Sequence, residues 1–178
     1  SYDSYINSNK SNRGTAILVR RNLNYKVIRE FSSFCNNICI IDCIINNFRL
    51  SIISTYAPIQ TGNLSFFPDL KKRILEIGNT DFILMGDLNS THCTTPAHLG
   101  NIDCLNMQSI PNPVHCSHLN NWIESNFAFD LYRLINPSKK DFSYVPFGVG
   151  NKNRSRIDHC FISPGLINVF NFCEYSEY

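Results

Sequence analysis

Asp81-Phe82-Ile83-Leu84-Met85-Gly86-Asp87-Leu88-Asn89 is the stretch on which the fold turns. Its apolar run, Phe82 through Met85, shows no alternation and predicts a short central strand buried on both faces. The run ends at Gly86, and Asp87 and Asn89 follow two apart. Side chains alternate along a strand, so this carboxylate and this amide project together from its C-terminal end. Such a pair can hold a hard cation, orient a water or contact a phosphate. Gly86 lets the backbone turn tightly or a ligand approach closely. A lone GDxN also suits an ordinary turn, so its meaning depends on what surrounds it.

Upstream, residues 64–77 carry a helical period, with Phe67, Leu70, Ile74 and Ile77 recurring at steps of three and four. Lys71, Lys72 and Arg73 fall on the opposite face and read as solvated. Gly78-Asn79 stops that helix. Earlier still, residues 15–20, 25–31, 38–45 and 48–56 read as strands rich in β-branched residues, with Asn46-Asn47 as a hairpin turn. The strand over 48–56 ends in Ser54-Thr55-Tyr56-Ala57-Pro58, where the proline halts the ladder. Tyr56 there can donate to a phosphate or simply cap the core.

Downstream, residues 90–116 predict a long irregular stretch of the kind that carries function or motion. A helix is expected over 118–126, with Leu119, Trp122 and Ile123 on one face, then short extended pieces at 129–133 and 141–145. Residues 156–163 form the last clear strand, stopped by Pro164-Gly165. Inside it Asp158 is a costly residue for an apolar strand. Either it is paired structurally, with Arg156 as a partner, or it orients a catalytic group. His159 points to the opposite face and reads as a surface or structural histidine. Ser143, set between Phe142 and Tyr144, can bind a phosphate or pair within the sheet. The total is a mixed α/β sandwich in which strands outnumber helices.

Composition bounds the rest. With 178 residues the chain is one domain with a real core. A net charge of +2 excludes a strongly basic nucleic-acid arm, though not a local basic patch. No apolar run approaches the roughly 20 residues of a membrane span, and no signal peptide opens the chain. The first residue is not methionine, which predicts a longer natural protein. Eight cysteines are present. Cys35, Cys39 and Cys43, four apart on a predicted strand, read as buried free thiols. His92, Cys93, His98, Cys104, His115, Cys116 and His118 are dense in zinc-type ligands, but their spacing lacks the paired arms of a zinc module.

The order of these features resembles the endonuclease/exonuclease/phosphatase superfamily with the DNase-I-like fold. Within it, the likeness is to the apurinic-like endonuclease domain of non-LTR (LINE-type) retrotransposons. Gly14-Thr15-Ala16-Ile17 resembles the "GGVAIL" strand, Ser54-Thr55-Tyr56-Ala57-Pro58 the "xxYAP" motif, and residues 82–89 the "hhhhGDFN" motif. Residues 141–144 resemble the "xxTF" segment and residues 155–163 the "SRIDYxLxS" segment. The resemblance runs over residues 14–163 and treats the whole chain, 1–178, as one domain fragment.

The resemblance implies a four-layered α/β sandwich, incomplete at both ends. It implies hydrolysis of a DNA phosphodiester with Mg2+, or Mn2+ as an alternative, nicking one strand for target-primed retrotransposition. Tyr56 would contact the scissile phosphate. Asp87 would orient or deprotonate the attacking water, and Asn89 would help hold phosphate and water, both lying at the metal. Asp158 would orient a catalytic histidine. Ser143 stands where the family has threonine and would contact the DNA backbone. Apart from the resemblance, Lys152, Arg154 and Arg156, near Gly148 and Gly150, read either as a cluster that contacts phosphates or as part of a flexible solvated hairpin loop. The implied partners are DNA, a downstream reverse-transcriptase domain and element RNA, with no membrane and with a nuclear location.

Two departures stand beside these matches. No "QET"-like motif precedes Gly14, and no "SDH" triplet follows residue 163. The expectation is a fragment without the main metal-binding glutamate and the catalytic histidine, and so without full activity. Rival expectations are another enzyme of the superfamily (an apurinic endonuclease, a deadenylase or a phosphatase), a non-catalytic mobile-element remnant, and a zinc module over residues 92–118.

Overall fold

In the computed structural model, residues 1–8, 14–32, 36–59, 65–92, 102–104, 113–145 and 154–175 are described. Among these residues eight strands and three helices follow one another as β1 (Tyr2–Ser8), β2 (Gly14–Arg20), β3 (Tyr25–Ser32), β4 (Ile38–Ile45), β5 (Phe48–Tyr56), α1 (Phe66–Ile77), β6 (Phe82–Asp87), α2 (Pro113–Ser125), β7 (Phe129–Asp130), α3 (Leu131–Ile135) and β8 (Asp158–Ile162). A short 3-10 turn over Pro164–Leu166 follows the last strand.

Six strands make the central sheet, in the order β3-β4-β5-β6-β8-β7. The Asn46-Asn47 hairpin works through left-handed backbone at both asparagines, φ 48° and 69°, and sets β4 antiparallel to β5. Helix α1 is the crossover that makes β6 parallel to β5. β8 then pairs antiparallel with β6.

Alternation along these strands builds two different faces. On one, Ile38, Ile40, Ile53, Phe82, Leu84 and Phe161 pack beneath the apolar stripes of α1 (Phe67, Leu70, Ile74) and α2 (Leu119, Trp122, Ile123). On the other, Cys39, Ile41 and Cys43 meet Ile17 and Val19 of the small β1-β2 sheet. The thiols of Cys39 and Cys43 are free and buried, as the spacing suggests, and Cys35 lies outside the described residues. Farther along the same face, Ile162, Leu131 and Leu166 pack with Ile83, Cys160 and Phe170.

Several expectations are revised. β1 precedes the first strand expected from the sequence, and its pairing with β2 makes the second sheet. The segment 129–133 is two residues of strand and then the start of α3, because the Asp130 side chain accepts from Arg133 N and caps that helix. Residues 141–145 contribute one isolated bridge, Tyr144 to Ser155, in place of an extended piece. β6 is buried on one face only: Met85 is 48% exposed, because it lies on the second face, away from the α1 and α2 layer. Among the described residues the chain shows three layers of the sandwich: helices, central sheet and small sheet.

Candidate active site

Three neighbouring strands deliver the site. β5 ends at Tyr56, β6 ends at Asp87 and β8 begins at Asp158. The parallel register pairs Tyr56 with Asp87, and the antiparallel register pairs Asp87 with Asp158. Directly paired residues share a face, so a phenol and two carboxylates form one row across the sheet. All three are half-buried.

Gly86 makes this row sterically feasible. It pairs with Thr55 at φ 154°, and a Cβ at that position would sit 1.8 Å from the Thr55 carbonyl oxygen. Any side chain would therefore push β5 and β6 apart one residue short of the row.

Beyond Gly86 the chain is stapled to both neighbours. Ala57 N donates to Asp87 O at 2.8 Å, and Leu88 N donates to Ile157 O at 2.9 Å. Asn89 adopts left-handed backbone, φ 47°, and its N–H donates to Asp87 Oδ1 at 2.8 Å. Its Nδ2 donates to Ala57 O at 2.6 Å, which fixes the amide beside the carboxylate. The Asp158 backbone is held from two directions. Ser143 Oγ accepts from Ile157 N at 3.1 Å and Asp158 N at 3.0 Å, while Tyr175 Oη donates to Asp158 O at 2.5 Å. Tyr175 carries no sequence motif, and its part in the site emerges only from the fold.

Burial pushes the Asp87 carboxyl above its usual range, and the nearby Asp158 carboxylate adds to this. The Asn89 N–H and His159 act in the opposite direction without cancelling it. A half-buried carboxylate beside a second one lacks positive charge, which is the condition a hard cation meets. Asp87 and Asp158 with the Asn89 amide are an all-oxygen donor set, and such a set fits Mg2+ or Mn2+ completed by water and phosphate oxygens. Among the described residues no group of three or more His, Cys, Asp or Glu side chains is placed to hold a metal.

Behind the row lies a second set of charges with a different character. Arg156, expected among the substrate contacts, is fully buried. Its guanidinium donates to both oxygens of Asp103, at 2.8 and 2.9 Å, and to both of Asp130, at 3.2 and 2.5 Å. It is therefore a structural cation and not a partner of Asp158. Arg133 also donates to Asp103 and to the carbonyls of Asn136 and Lys139. Both arginines pack against the Tyr132 ring. His159 Nε2 lies 2.7 Å from Ser90 O, and its ring stacks on Phe161. The Nδ1 atoms of His159 and His92 lie 3.7 and 3.5 Å from Asp130 Oδ2. Burial alone would raise Asp130, yet His159, His92 and Arg156 hold its carboxyl far below the usual range. Burial likewise opposes Asp103, and Arg156 and Arg133 outweigh it.

Lys152 lies outside the described residues, as do Cys93 and His98 of the Cys/His-rich stretch. Of that stretch, His92 is turned to Asp130 and Cys116 lies against Thr91, Sγ to Oγ1 3.5 Å. Arg154 lines a separate cleft near Asp141.

A model of the Endonuclease/Exonuclease/phosphatase family matches residues 1–174. None of the curated proteins matches the chain. Among solved structures, an AP endonuclease from Archaeoglobus fulgidus is 16% identical, with TM-score 0.69 over 93% of this chain and 68% of that one. The endonuclease domain of TRAS1, a telomere-specific non-LTR retrotransposon, is 13% identical, with TM-score 0.66 over 93% and 68%. The AP endonuclease LMAP from Leishmania major is 14% identical, with TM-score 0.72 over 93% and 63%. The chain thus spans about two thirds of the length of these proteins.

Proposed function

The chain belongs to the Endonuclease/Exonuclease/phosphatase family, and from that premise we propose that it is part of a divalent-metal-dependent DNA endonuclease domain of the non-LTR retrotransposon type. The observation that carries this is the row of Tyr56, Asp87 and Asp158 across three strands, with Asn89 locked beside it. A bound Mg2+ would neutralise charge on the phosphoryl oxygens. The chain's own groups do the rest. The Tyr56 phenol donates to a non-bridging phosphate oxygen. Asp87, its proton affinity raised by burial, takes a proton from the attacking water. The water oxygen bonds to phosphorus as the P–O bond to the leaving sugar breaks, and the Asn89 amide holds the water in line.

The leaving oxygen needs a proton, and Asp158 is placed to orient the group that gives it. Among the described residues that group is missing from the row. His159 and His92 turn to Asp130, and His118 sits on α2, against the opposite face. The reading extends to a reverse-transcriptase domain in the same protein, to element RNA and to action in the nucleus.

Plasmid nicking with Mg2+ tests this. The full-length protein is expected to nick, and to lose that activity by Asp87→Ala. Absence of nicking, or nicking that survives Asp87→Ala, would overturn the assignment. The fold likeness to AP endonucleases supports a second reading, incision at abasic sites. An abasic duplex cut far faster than an intact one would favour it.

A further inference from the structure

A cleft of about 310 Å3 is lined by Lys139, Lys140, Asp141, Phe142, Arg154 and Tyr175. Its volume lies at the small end of ligand pockets, about 300–1,000 Å3. Lys139 Nζ is paired with Asp141 Oδ2 at 2.8 Å, so that acid is already neutralised. Asp141 also accepts from Tyr132 Oη at 2.5 Å. Lys140 and Arg154 then leave the cleft positive. Lys140 is exposed, and Arg154 Nε is a buried donor with no hydrogen-bond partner among the described residues. A buried donor without an acceptor is costly, and an anionic oxygen at that place would relieve the cost.

The cleft is tied to the row by two residues. Phe142 on its wall precedes Ser143, whose Oγ accepts the Asp158 N–H. Tyr175 on its wall donates to the Asp158 carbonyl. The walls of the cleft thus share their support with the backbone that carries Asp158.

We propose that the cleft of Lys140, Arg154, Phe142 and Tyr175 is a nucleic-acid backbone subsite that takes a phosphodiester next to the one being cut. This rests on the hydrolase assignment above, and it adds Lys140 to the binding surface in place of Arg156. Lys140 and Arg154 supply positive charge to the phosphate, and the aromatic walls exclude water around it.

Equilibrium binding of a fluorescent 20-base-pair duplex to the 178-residue chain at several salt concentrations tests the proposal without requiring cleavage. Lys140→Glu should weaken binding about tenfold and flatten the dependence of log K on log salt by about one contact. Arg154→Gln should act in the same direction, and the double variant should add to it. Lys72→Glu, on the exposed face of α1, should change neither quantity by a comparable amount. Because Lys140 is exposed, its variant is expected to melt with the wild type, which a thermal scan checks. Unchanged affinity and slope in Lys140→Glu, or no duplex binding by the wild type at low salt, would overturn the subsite. Binding that depends on Lys140 in a protein that never cuts DNA would instead leave the subsite standing and sink the hydrolase assignment.

Discussion

Asp158 and His159 are adjacent in β8 and belong to two different worlds. His159 faces the helical layer, stacked on Phe161 and close to Asp130, in a network where Arg156 meets Asp103 and Asp130 through four hydrogen bonds. Asp158 faces the other way, level with Asp87, in a row where negative charge is left in excess. The two sides of one strand differ in whether their charges are settled. Histidines and arginine lower the Asp130 carboxyl and arginines that of Asp103, whereas burial and a like charge raise that of Asp87. Paired charge holds the fold, and unpaired charge awaits a ligand.

The largest effect expected is on the buried side. Arg156→Ala would strand Asp103 and Asp130 without their shared cation and cost about 3–5 kcal/mol, a large part of the stability of a typical domain. A urea midpoint that barely moves would erase the contrast, because Arg156 would then be as dispensable as a surface residue. Gly86→Ala comes next, at about 3 kcal/mol, from overlap with the Thr55 carbonyl plus backbone strain. It should also splay Tyr56 from Asp87, so that nicking activity falls with stability.

Asp87→Asn separates the two sides by sign. Its folded carboxyl titrates above its unfolded value, so the ionised form costs stability at neutral pH. The variant should unfold at slightly higher urea than the wild type at pH 7, with the gap closing as pH falls towards 4. Asp103 and Asp130 behave oppositely. Their folded values lie below the unfolded value of about 3.9, so their contribution is present above it and is lost as pH falls through the folded values. Asp130→Asn should therefore destabilise at pH 7. If Asp87→Asn and Asp130→Asn move the midpoint in the same direction, the division drawn across β8 is wrong.

Much of this was legible in the residues. The β-branched runs, the helical period of α1 and the run into Gly86 define most of the central sheet, because local pattern and long-range pairing agree there. The candidate row was legible as motifs, and strand periodicity correctly turns His159 away from Asp158. Arg156 was not legible. Its network partners come from residues 103 and 130, and nothing in the spacing says that these three close around one another. Asp130 similarly caps α3 where an extended run looked continuous. Tyr175 and the Lys139-Lys140 wall are tertiary juxtapositions, invisible to a motif. The exposure of Met85 escaped for the same reason: an apolar run states what a strand can bury, not what lies against it.

The central claim is that the open row, and not the buried network or the Cys/His-rich stretch, takes a divalent cation. Titrating Mn2+ into the isotopically labelled chain and following amide line broadening by NMR reads this directly. The account predicts broadening centred on residues 56, 87, 89 and 158, lost in Asp87→Asn. Broadening centred on His92, Cys116 or His118, or broadening at the row that survives Asp87→Asn, would contradict it.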